Sequence, residues 1–205
     1  MIAALFVAAG GVYCGLPDVD PWDEARDARL YKGPHPVVAH PPCSSWCRLA
    51  GLVEARWGHR RGEDGGCFEA ALAAVRRWGG VLEHPAYSDA WAAFGLTVPS
   101  RRGGWQAGLC GGFAAHVEQG RYGHVAKKAT WLYAFGVELP ALRWGTTPDS
   151  EITHLVSWCG NHVKTAELRP RVGKAAATTP PEFRDVLLSI AASARRAIGL
   201  APGDP

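Results

Sequence analysis

Long hydrophobic runs are missing from this sequence, and so is a strong excess of one charge. No stretch approaches the roughly 18 apolar residues that a transmembrane helix needs, so we expect no membrane partner. The short apolar start at Met1–Val7 has no basic segment before it, which predicts no secretory signal and a cytoplasmic location. The 22 basic and 19 acidic residues give a net charge of +3, too weak by itself to indicate a nucleic-acid partner.

Cysteine is sparse, and two common catalytic motifs are absent. Six cysteines in 205 residues do not form a dense disulfide framework, so we expect reduced thiols. No Gly-x-x-x-x-Gly-Lys-Ser/Thr loop is present, and nothing therefore supports nucleotide hydrolysis. Gly-x-Ser-x-Gly is also missing, which leaves no nucleophile elbow of the hydrolase type.

The sequence does contain enough apolar residues for a folded domain. Hydrophobic residues make up 47% and charged residues 20%, which excludes a disordered chain. The length favours a single domain over residues 1–200, followed by a flexible tail at 201–205. The 25 glycines and 15 prolines indicate many turns, and the 9 tryptophans offer flat surfaces for packing or stacking.

Short apolar runs between turn signals predict an α/β fold. We expect strands at Ile2–Val7, Pro36–Ala39, Val81–Glu83 and Ala129–Phe135, and a helix at Cys67–Trp78. This order predicts a partly parallel sheet with ligands beyond the carboxyl ends of the strands. Residues 18–27 are acidic and turn-rich, and residues 95–126 are glycine-rich and typical of an active-site loop region.

A second helix is predicted near the C-terminus. Thr179 is a candidate cap, Pro181 suits the first turn, and Glu182 would close a capping box. Apolar residues then recur on one face, which predicts that this helix packs on the body of the domain; they are Phe183, Val186, Leu187, Ile190 and Ala194.

Three of the predicted strands end in unusual residues: Gly10-Gly11, His40–Cys43 and Glu83–Pro85. Cysteine reacts as a thiolate, which requires partial exposure and a positive or hydrogen-bonding environment. A strand-end loop followed by a helix N-terminus would supply both for Cys43. A small buried thiol after a prolyl turn is the alternative interpretation.

Pro41-Pro42-Cys43 after an apolar strand resembles the catalytic loop of DNA cytosine carbon-5 methyltransferases. Leu82–Pro85 lies where that family has its Glu-Asn-Val motif, one helix downstream. Residues 5–11 are similar to the Phe-x-Gly-x-Gly-Gly cofactor loop, with Ala8 in place of the first glycine. Residues 119–121, Gln-Gly-Arg, resemble the start of the Gln-x-Arg-x-Arg motif, without its second arginine.

A closer similarity is to short, phage-encoded methyltransferase-like proteins. That group has a His-Pro-Pro-Cys loop and a Gly-His-x-x-x-Lys-x-Thr-x-Leu stretch, which Gly123–Leu132 resembles. The resemblance covers roughly residues 37–145. It implies a compact, Rossmann-like sheet of the methyltransferase type with a reduced cofactor half, S-adenosylmethionine as cofactor and DNA as substrate. Because the chain is short, we expect a separate protein to recognise the target sequence.

The resemblance also implies roles for individual residues. Cys43 would attack carbon 6 of the base, Glu83 would contact ring nitrogen 3, and Arg121 would contact the substrate. The implied cofactor residues are Phe6, Gly10, Gly11, Pro41 and Asp20. Asp20 would bind the ribose hydroxyls of the cofactor, and Asp18 and Asp23 are alternatives for this role. The implied substrate residues are Pro42, Ser44, His84, Gln119, Lys127 and Lys128.

This chemistry needs a thiol and a carboxyl group close together. A thiolate adduct at carbon 6 makes carbon 5 enamine-like, and an acid near nitrogen 3, with its pKa raised by burial, stabilises the developing charge. Trp46 or Trp105 would stack on a flipped base, or else belong to the core or its rim. Four basic clusters are candidates for phosphate contacts or for ordinary surface: Arg56–Arg61, Arg101-Arg102, Arg121–Lys128 and Lys164–Lys174.

Other functions fit these residues less well. A zinc site is an alternative, although its ligands have a loose spacing; they would be His40, Cys43, Cys47 and His84. A zinc deaminase is excluded because Cys47 is one position too far from Cys43. The amino-methyltransferases of adenine and cytosine have Asp/Asn/Ser-Pro-Pro-aromatic loops. His40–Cys43 has the same two prolines but differs at the residues before and after them. We therefore assign no metal, and keep as second hypothesis a catalytically silent nucleic-acid-binding protein with the same fold.

Overall fold

The computed structural model describes residues 1–47, 50–58, 60–109, 111–155 and 178–194. The predicted tail at 201–205 and the basic cluster at Lys164–Lys174 lie outside these residues. The strands are β1 Ile2–Leu5, β2 Val19–Trp22, β3 Val37–Ala39, β4 Gly80–Pro85, β5 Gln106–Ala107, β6 Phe113–Glu118 and β7 Ala129–Phe135. The α-helices are α1 Ala50–Trp57, α2 Cys67–Trp78, α3 Ala90–Ala93 and α4 Pro181–Ala192. Short 3₁₀ helices occupy Glu24–Arg26, Ala28–Leu30, Gln119–Tyr122 and Asp149–Glu151.

The seven strands form one mixed sheet in the order β2-β1-β3-β4-β7-β6-β5. The first four strands of this order are mutually parallel. β7 is antiparallel to β4 and to β6, and β5 pairs antiparallel with β6. The prediction of an α/β fold with a partly parallel sheet is therefore confirmed.

Helices cover both faces of the sheet. On one face, α2 packs its apolar stripe of Phe68, Leu72 and Val75 against β3 and β4. On the other face, α4 packs Phe183 and Leu187 against the same strands and β1. Because successive side chains of a strand alternate between faces, each central strand contributes to both cores. Within the described ranges, no helix has the length and apolar character needed to cross a membrane.

The elements with strong sequence signals form as predicted. α2 and β7 have the predicted bounds, and Gly79 ends α2 with a left-handed φ of 75°. α4 begins at Pro181, but the predicted capping box is wrong. Pro180 occupies the cap position without a side-chain hydrogen bond, and the Glu182 carboxylate pairs instead with Arg143.

Two segments predicted to be irregular contain strands. Residues 95–126 include β6, in which Ala114 to Glu118 are buried, so this segment belongs partly to the core. Residues 18–27 include β2, which tolerates Pro21 because it lies at the edge of the sheet and pairs with β1 alone. Both strands contain polar residues that conceal the apolar pattern of a strand.

Candidate active site at the carboxyl edge of the sheet

The loops after β1, β3 and β4 meet because these strands are parallel neighbours. Ala39 in β3 is in register with Leu82 in β4, so His40 follows at the level of Glu83. The backbone N–H of His40 still donates to the carbonyl of Leu5, at 3.0 Å, and Pro41-Pro42 then ends the ladder. The sequence motifs at these strand ends therefore converge at one edge of the sheet.

A chain of hydrogen bonds joins the side chains at this edge. The His40 Nδ1 atom lies 2.9 Å from Oε2 of Glu83, and its Nε2 atom lies 2.8 Å from the Tyr13 hydroxyl. On the other side, Nε2 of Gln119 donates to Oε1 of Glu83 and to Oγ1 of Thr130, both at 3.0 Å. The chain thus extends from the loop after β1 to β7, with Glu83 at its centre.

Glu83 is ionised in this environment. Burial by itself would raise the pKa of this carboxyl group, which is 7% exposed. The hydrogen bond and charge of His40, together with the charge of Lys128, outweigh burial and lower the pKa of Glu83 to about 2. The expectation of a raised pKa is therefore wrong, because it left out the imidazole on the neighbouring strand end.

Cys43 lies half-buried on a helical turn at the same edge. The backbone N–H groups of Trp46 and Cys47 donate to its carbonyl, at 3.0 and 2.9 Å. Burial, with smaller effects of Cys47 and Glu83, raises the pKa of the Cys43 thiol to about 11, against the opposing charge of Lys128. The thiol is therefore protonated at neutral pH rather than activated in advance.

Lys128 supplies the positive charge of the site. Its ammonium group donates to the carbonyl of Thr178, at 2.7 Å, just before α4. Burial lowers the pKa of Lys128, while the charge of Glu83 and, when it is ionised, the thiolate of Cys43 raise it. The ammonium group of Lys128 is therefore close enough to affect the ionisation of both Glu83 and Cys43.

Other predicted substrate residues lie around this cluster or away from it. Pro42 and Ser44 are exposed on the turn that holds Cys43. Lys127 points to Asp149, with 3.0 Å between charged atoms. Arg121 accepts a hydrogen bond from Arg143 through its carbonyl, and among the described contacts none joins its side chain to Cys43 or Glu83.

His84 occupies the opposite face of β4 from Glu83. Its imidazole is fully buried, edge-on to Phe68 and stacked on Trp91. Burial lowers the pKa of His84 to about 4, and neither ring nitrogen makes a hydrogen bond of ordinary geometry within the described residues, although the Pro42 backbone lies close by. This position places His84 in the core under the α2 layer.

The loop after β1 turns back sharply at the positions predicted to bind a cofactor. Phe6, directly after β1, has a left-handed φ of 58°, and Gly10 has a φ of 66° with open space where a side chain would be. A Cβ atom on Gly11 would lie 2.8 Å from the carbonyl oxygen of Ala8, so only glycine fits this turn. From α4, Arg184 donates to the carbonyl of Val12, at 2.9 Å, and holds the loop in place.

Two further predicted cofactor residues differ in their surroundings. Pro41 is buried at the end of β3. Asp20 lies within β2 and accepts hydrogen bonds from the Arg26 guanidinium and the Trp22 indole. Its carboxylate is therefore engaged by its own strand and the following turn. Asp23 likewise caps a 3₁₀ helix through its side chain.

The two tryptophans considered for base stacking have hydrogen-bond partners within the protein. Trp46 is buried, and its indole N–H donates to Asp64, at 2.9 Å. The indole N–H of Trp105 donates to the carbonyl of Pro140, at 2.8 Å. In the part of the chain that the structure describes, no three His, Cys, Asp or Glu side chains form a group that could hold a metal ion.

Sequence reasoning missed two features of this site. His40 was considered only as a zinc ligand, although its place in the His-Pro-Pro-Cys loop puts it beside Glu83 once β3 and β4 are neighbours. Nothing in the sequence links Tyr13 to His40, because the fold of the glycine loop after β1 brings them together.

The sequence matches no family model, no curated protein and no solved structure. The functional argument therefore depends on the chemistry of the site. That site combines a half-buried thiol, an ionised carboxylate with donors on both oxygens, and a lysine whose charge acts on both.

Proposed function

We propose that the protein is an enzyme of the DNA cytosine carbon-5 methyltransferase type, which methylates a pyrimidine base through a covalent adduct with Cys43. The most direct support is the geometry of the neighbouring parallel strands β3 and β4, which brings the loop of Cys43 to the edge where Glu83 lies. The charge of Lys128 acts on the pKa of both groups. A thiol and a carboxylate on adjacent strand ends are the minimum needed for addition to carbon 6 of the base. Lys128 favours the thiolate that this addition requires.

The sheet supports a compact, Rossmann-like arrangement of the methyltransferase type. The loop after β1 contains the residues predicted for the cofactor, the loop after β3 contains Cys43, and Glu83 lies in β4 itself; the three strands are parallel neighbours. β7 then returns antiparallel beside β4. In the described sheet β2 alone lies beyond β1, which agrees with a reduced cofactor half.

S-adenosylmethionine, when bound, supplies an electrophilic methyl group. The turn from Phe6 to Gly11 suits it in part, because it lies at the carboxyl edge and Gly10 leaves open space for close backbone approach. Asp20 does not suit the ribose hydroxyls, since Arg26 and Trp22 already engage its carboxylate. The cofactor residues in this proposal are therefore Phe6, Gly10 and Gly11.

The residues of the chain would act in sequence on the base. Cys43 loses its thiol proton to solvent, and its sulfur forms a bond to carbon 6 of the base. Ring nitrogen 3, which Glu83 would contact, gains a proton at the same time. Carbon 5 would then take the methyl group from a bound S-adenosylmethionine, whose sulfonium would leave as a neutral thioether. Carbon 5 loses its proton to solvent, the bond between sulfur and carbon 6 breaks, and nitrogen 3 gives up the proton it gained. The thiolate takes up a proton from solvent, and the methylated base is released.

The test is covalent trapping on DNA that contains 5-fluorocytosine. Fluorine at carbon 5 blocks the final elimination, so the protein and the labelled methyl group should stay on the DNA in a denaturing gel. Cys43→Ser should abolish the adduct, whereas Cys67→Ser, which alters a free thiol at the start of α2, should retain it. Absence of an adduct with the unchanged protein would contradict the proposal.

The second candidate is a catalytically silent nucleic-acid-binding protein. It is favoured by the thiol pKa of about 11 at Cys43, which leaves little thiolate at neutral pH. Retention of DNA without cofactor binding or adduct formation would support this candidate instead. In either case the free thiols fit a reducing compartment such as the cytoplasm, and a separate protein would select the target sequence.

A further inference from the structure

We infer that His40 supplies the proton that Glu83 passes to ring nitrogen 3 during the addition step, with Tyr13 holding the imidazole in place. This inference rests on the proposed function and adds a positioning residue to it. The contacts support it directly: the Nδ1 atom of His40 is 2.9 Å from Glu83, and Nε2 is 2.8 Å from the Tyr13 hydroxyl. Both side chains of the His40–Glu83 pair are nearly buried, at 12% and 9% exposure.

The addition step needs a proton that Glu83 does not hold by itself. With a pKa of about 2, its carboxyl group is ionised at neutral pH. Imidazole is the side chain that gains and loses protons near neutral pH. The hydrogen bond between His40 and Glu83 therefore contains the proton that Glu83 can pass on.

The other titratable and charged groups facing this pair are poorer donors. These groups are Tyr13, Cys43, His84, Lys128, Arg184 and Asp185. Burial raises the pKa of Tyr13 well above its usual value, so its hydroxyl stays protonated. Burial keeps His84 neutral, with a pKa of about 4, and the Lys128 ammonium is directed at the carbonyl of Thr178.

The proton transfers balance. Before addition, the His40 imidazolium donates through Nδ1 to Glu83 and through Nε2 to the Tyr13 oxygen. As the Cys43 sulfur bonds to carbon 6, the Nδ1 proton moves to Glu83 and from Glu83 to nitrogen 3. His40 is then neutral and still donates through Nε2 to Tyr13. When the bond between sulfur and carbon 6 breaks, the proton returns along the same path.

The test is the rate of adduct formation on 5-fluorocytosine DNA as a function of pH. In the unchanged protein the rate should rise by clearly less than tenfold per pH unit, because a higher pH favours the thiolate but removes the proton that nitrogen 3 must receive. His40→Asn should be about 100-fold slower at pH 7. Its rate should rise about tenfold per pH unit until the thiol ionises near its pKa of about 11.

Matched variants separate this role from a structural one. His154→Asn, at an imidazole that contacts the hydroxyl group of its neighbour Thr153, should keep the original profile. Tyr13→Phe removes the acceptor on Nε2 and should slow adduct formation at pH 7 without changing the alkylation of Cys43. Alkylation of Cys43 by iodoacetamide reports the ionisation of the thiol itself, which should be similar in every variant.

The outcomes distinguish the inference from the proposed function. An adduct with the same pH profile in His40→Asn would overturn the inference and leave the proposed function intact. Absence of any adduct from the unchanged protein would overturn both. If His40→Asn does not fold, as judged by circular dichroism, Tyr13→Phe decides: slower adduct formation at pH 7 with unchanged alkylation of Cys43 supports the inference, and an unchanged rate of adduct formation overturns it.

Discussion

The amide Nε2 of Gln119 lies 3.0 Å from Oε1 of Glu83, on the opposite side of the carboxylate from the imidazole. A buried carboxylate is stable only when its oxygens accept hydrogen bonds, and Glu83 has a donor on each. The Gln119 side chain is itself fully buried and is fixed by Thr130. The polar chain at the carboxyl edge is thus held from both ends.

Gln119→Met should destabilise the fold, because it keeps the approximate volume of the side chain but removes the donor to Glu83. We expect a loss of about 1 to 3 kcal/mol in the free energy of unfolding, measured in urea. Gln106→Met, at a half-buried position of the edge strand β5, should change it by less than about 0.5 kcal/mol. Equal effects of the two substitutions would contradict the importance of the Gln119 contact.

Glu83 should make the stability of the protein depend on pH under acidic conditions. Its pKa of about 2 lies below the usual 4.5, so the ionised group contributes stability above pH 4.5. This contribution is lost as the pH falls from 4.5 towards 2 and amounts to on the order of 3 kcal/mol or less. Urea titrations should show a shallower decline in this range for Glu83→Gln than for the unchanged protein. Glu138→Gln, at an exposed carboxylate, should leave the decline as it is.

His84 and His116 provide a matched pair of buried imidazoles on the same face of the sheet. Neither nitrogen of His84 makes a hydrogen bond of ordinary geometry within the described residues, although the Pro42 backbone lies close by. Nδ1 of His116 accepts from the Trp131 indole, at 3.1 Å. His84→Leu should therefore change the free energy of unfolding by less than about 1 kcal/mol, because it removes no hydrogen bond of ordinary geometry. His116→Leu should cost about 1 to 3 kcal/mol, because it leaves the indole N–H unpaired. Thermal unfolding of both variants tests this difference, and the reverse order would contradict it.

The sequence predicted those parts of the fold that depend on local patterns. The apolar stripe of α2, ended by two glycines, has its predicted bounds. β2 and β6 could not be recognised in this way, because Asp20, Pro21, His116 and Glu118 interrupt their apolar character. The polar side chains of β6 are satisfied by partners distant in sequence; Glu118, for example, accepts a hydrogen bond from the backbone of Thr147.

The candidate site was predictable in position but not in electrostatics. Parallel strands with neighbouring carboxyl ends were sufficient to bring the loop of Cys43 to Glu83. The pKa of Glu83 depends instead on the orientation of the His40 imidazole, which in turn contacts Tyr13. That orientation is set by tertiary packing of the loop after β1 against α4, where Arg184 holds the Val12 carbonyl.

Gly80 allows β3 and β4 to approach closely, and it should not tolerate a side chain. It has a φ of 137°, and a Cβ atom there would overlap the carbonyl oxygen of Val37. Gly80→Ala should lower the free energy of unfolding by more than about 3 kcal/mol, measured by urea titration. Gly123→Ala, with a φ of 87° but open space around it, isolates the backbone strain and should cost about 1 to 2 kcal/mol. Similar losses for both would show that the close approach is unimportant.

Lys128 should control the reactivity of the Cys43 thiol. The positive charge of Lys128 lowers the pKa of the Cys43 thiol, whereas burial, Cys47 and Glu83 raise it. Lys128→Met should therefore raise this pKa above about 11 and slow the alkylation of Cys43 by iodoacetamide several-fold at pH 8 to 9, since only the thiolate reacts. The reaction is followed by the mass of the peptide that contains Cys43.

Lys127→Met provides the control at the adjacent position, because that ammonium pairs with Asp149 and is not among the groups that shift the pKa of Cys43. Equal alkylation rates in the two variants would show that the charge of Lys128 does not reach the thiol, and would remove the main support for placing both residues in one active site.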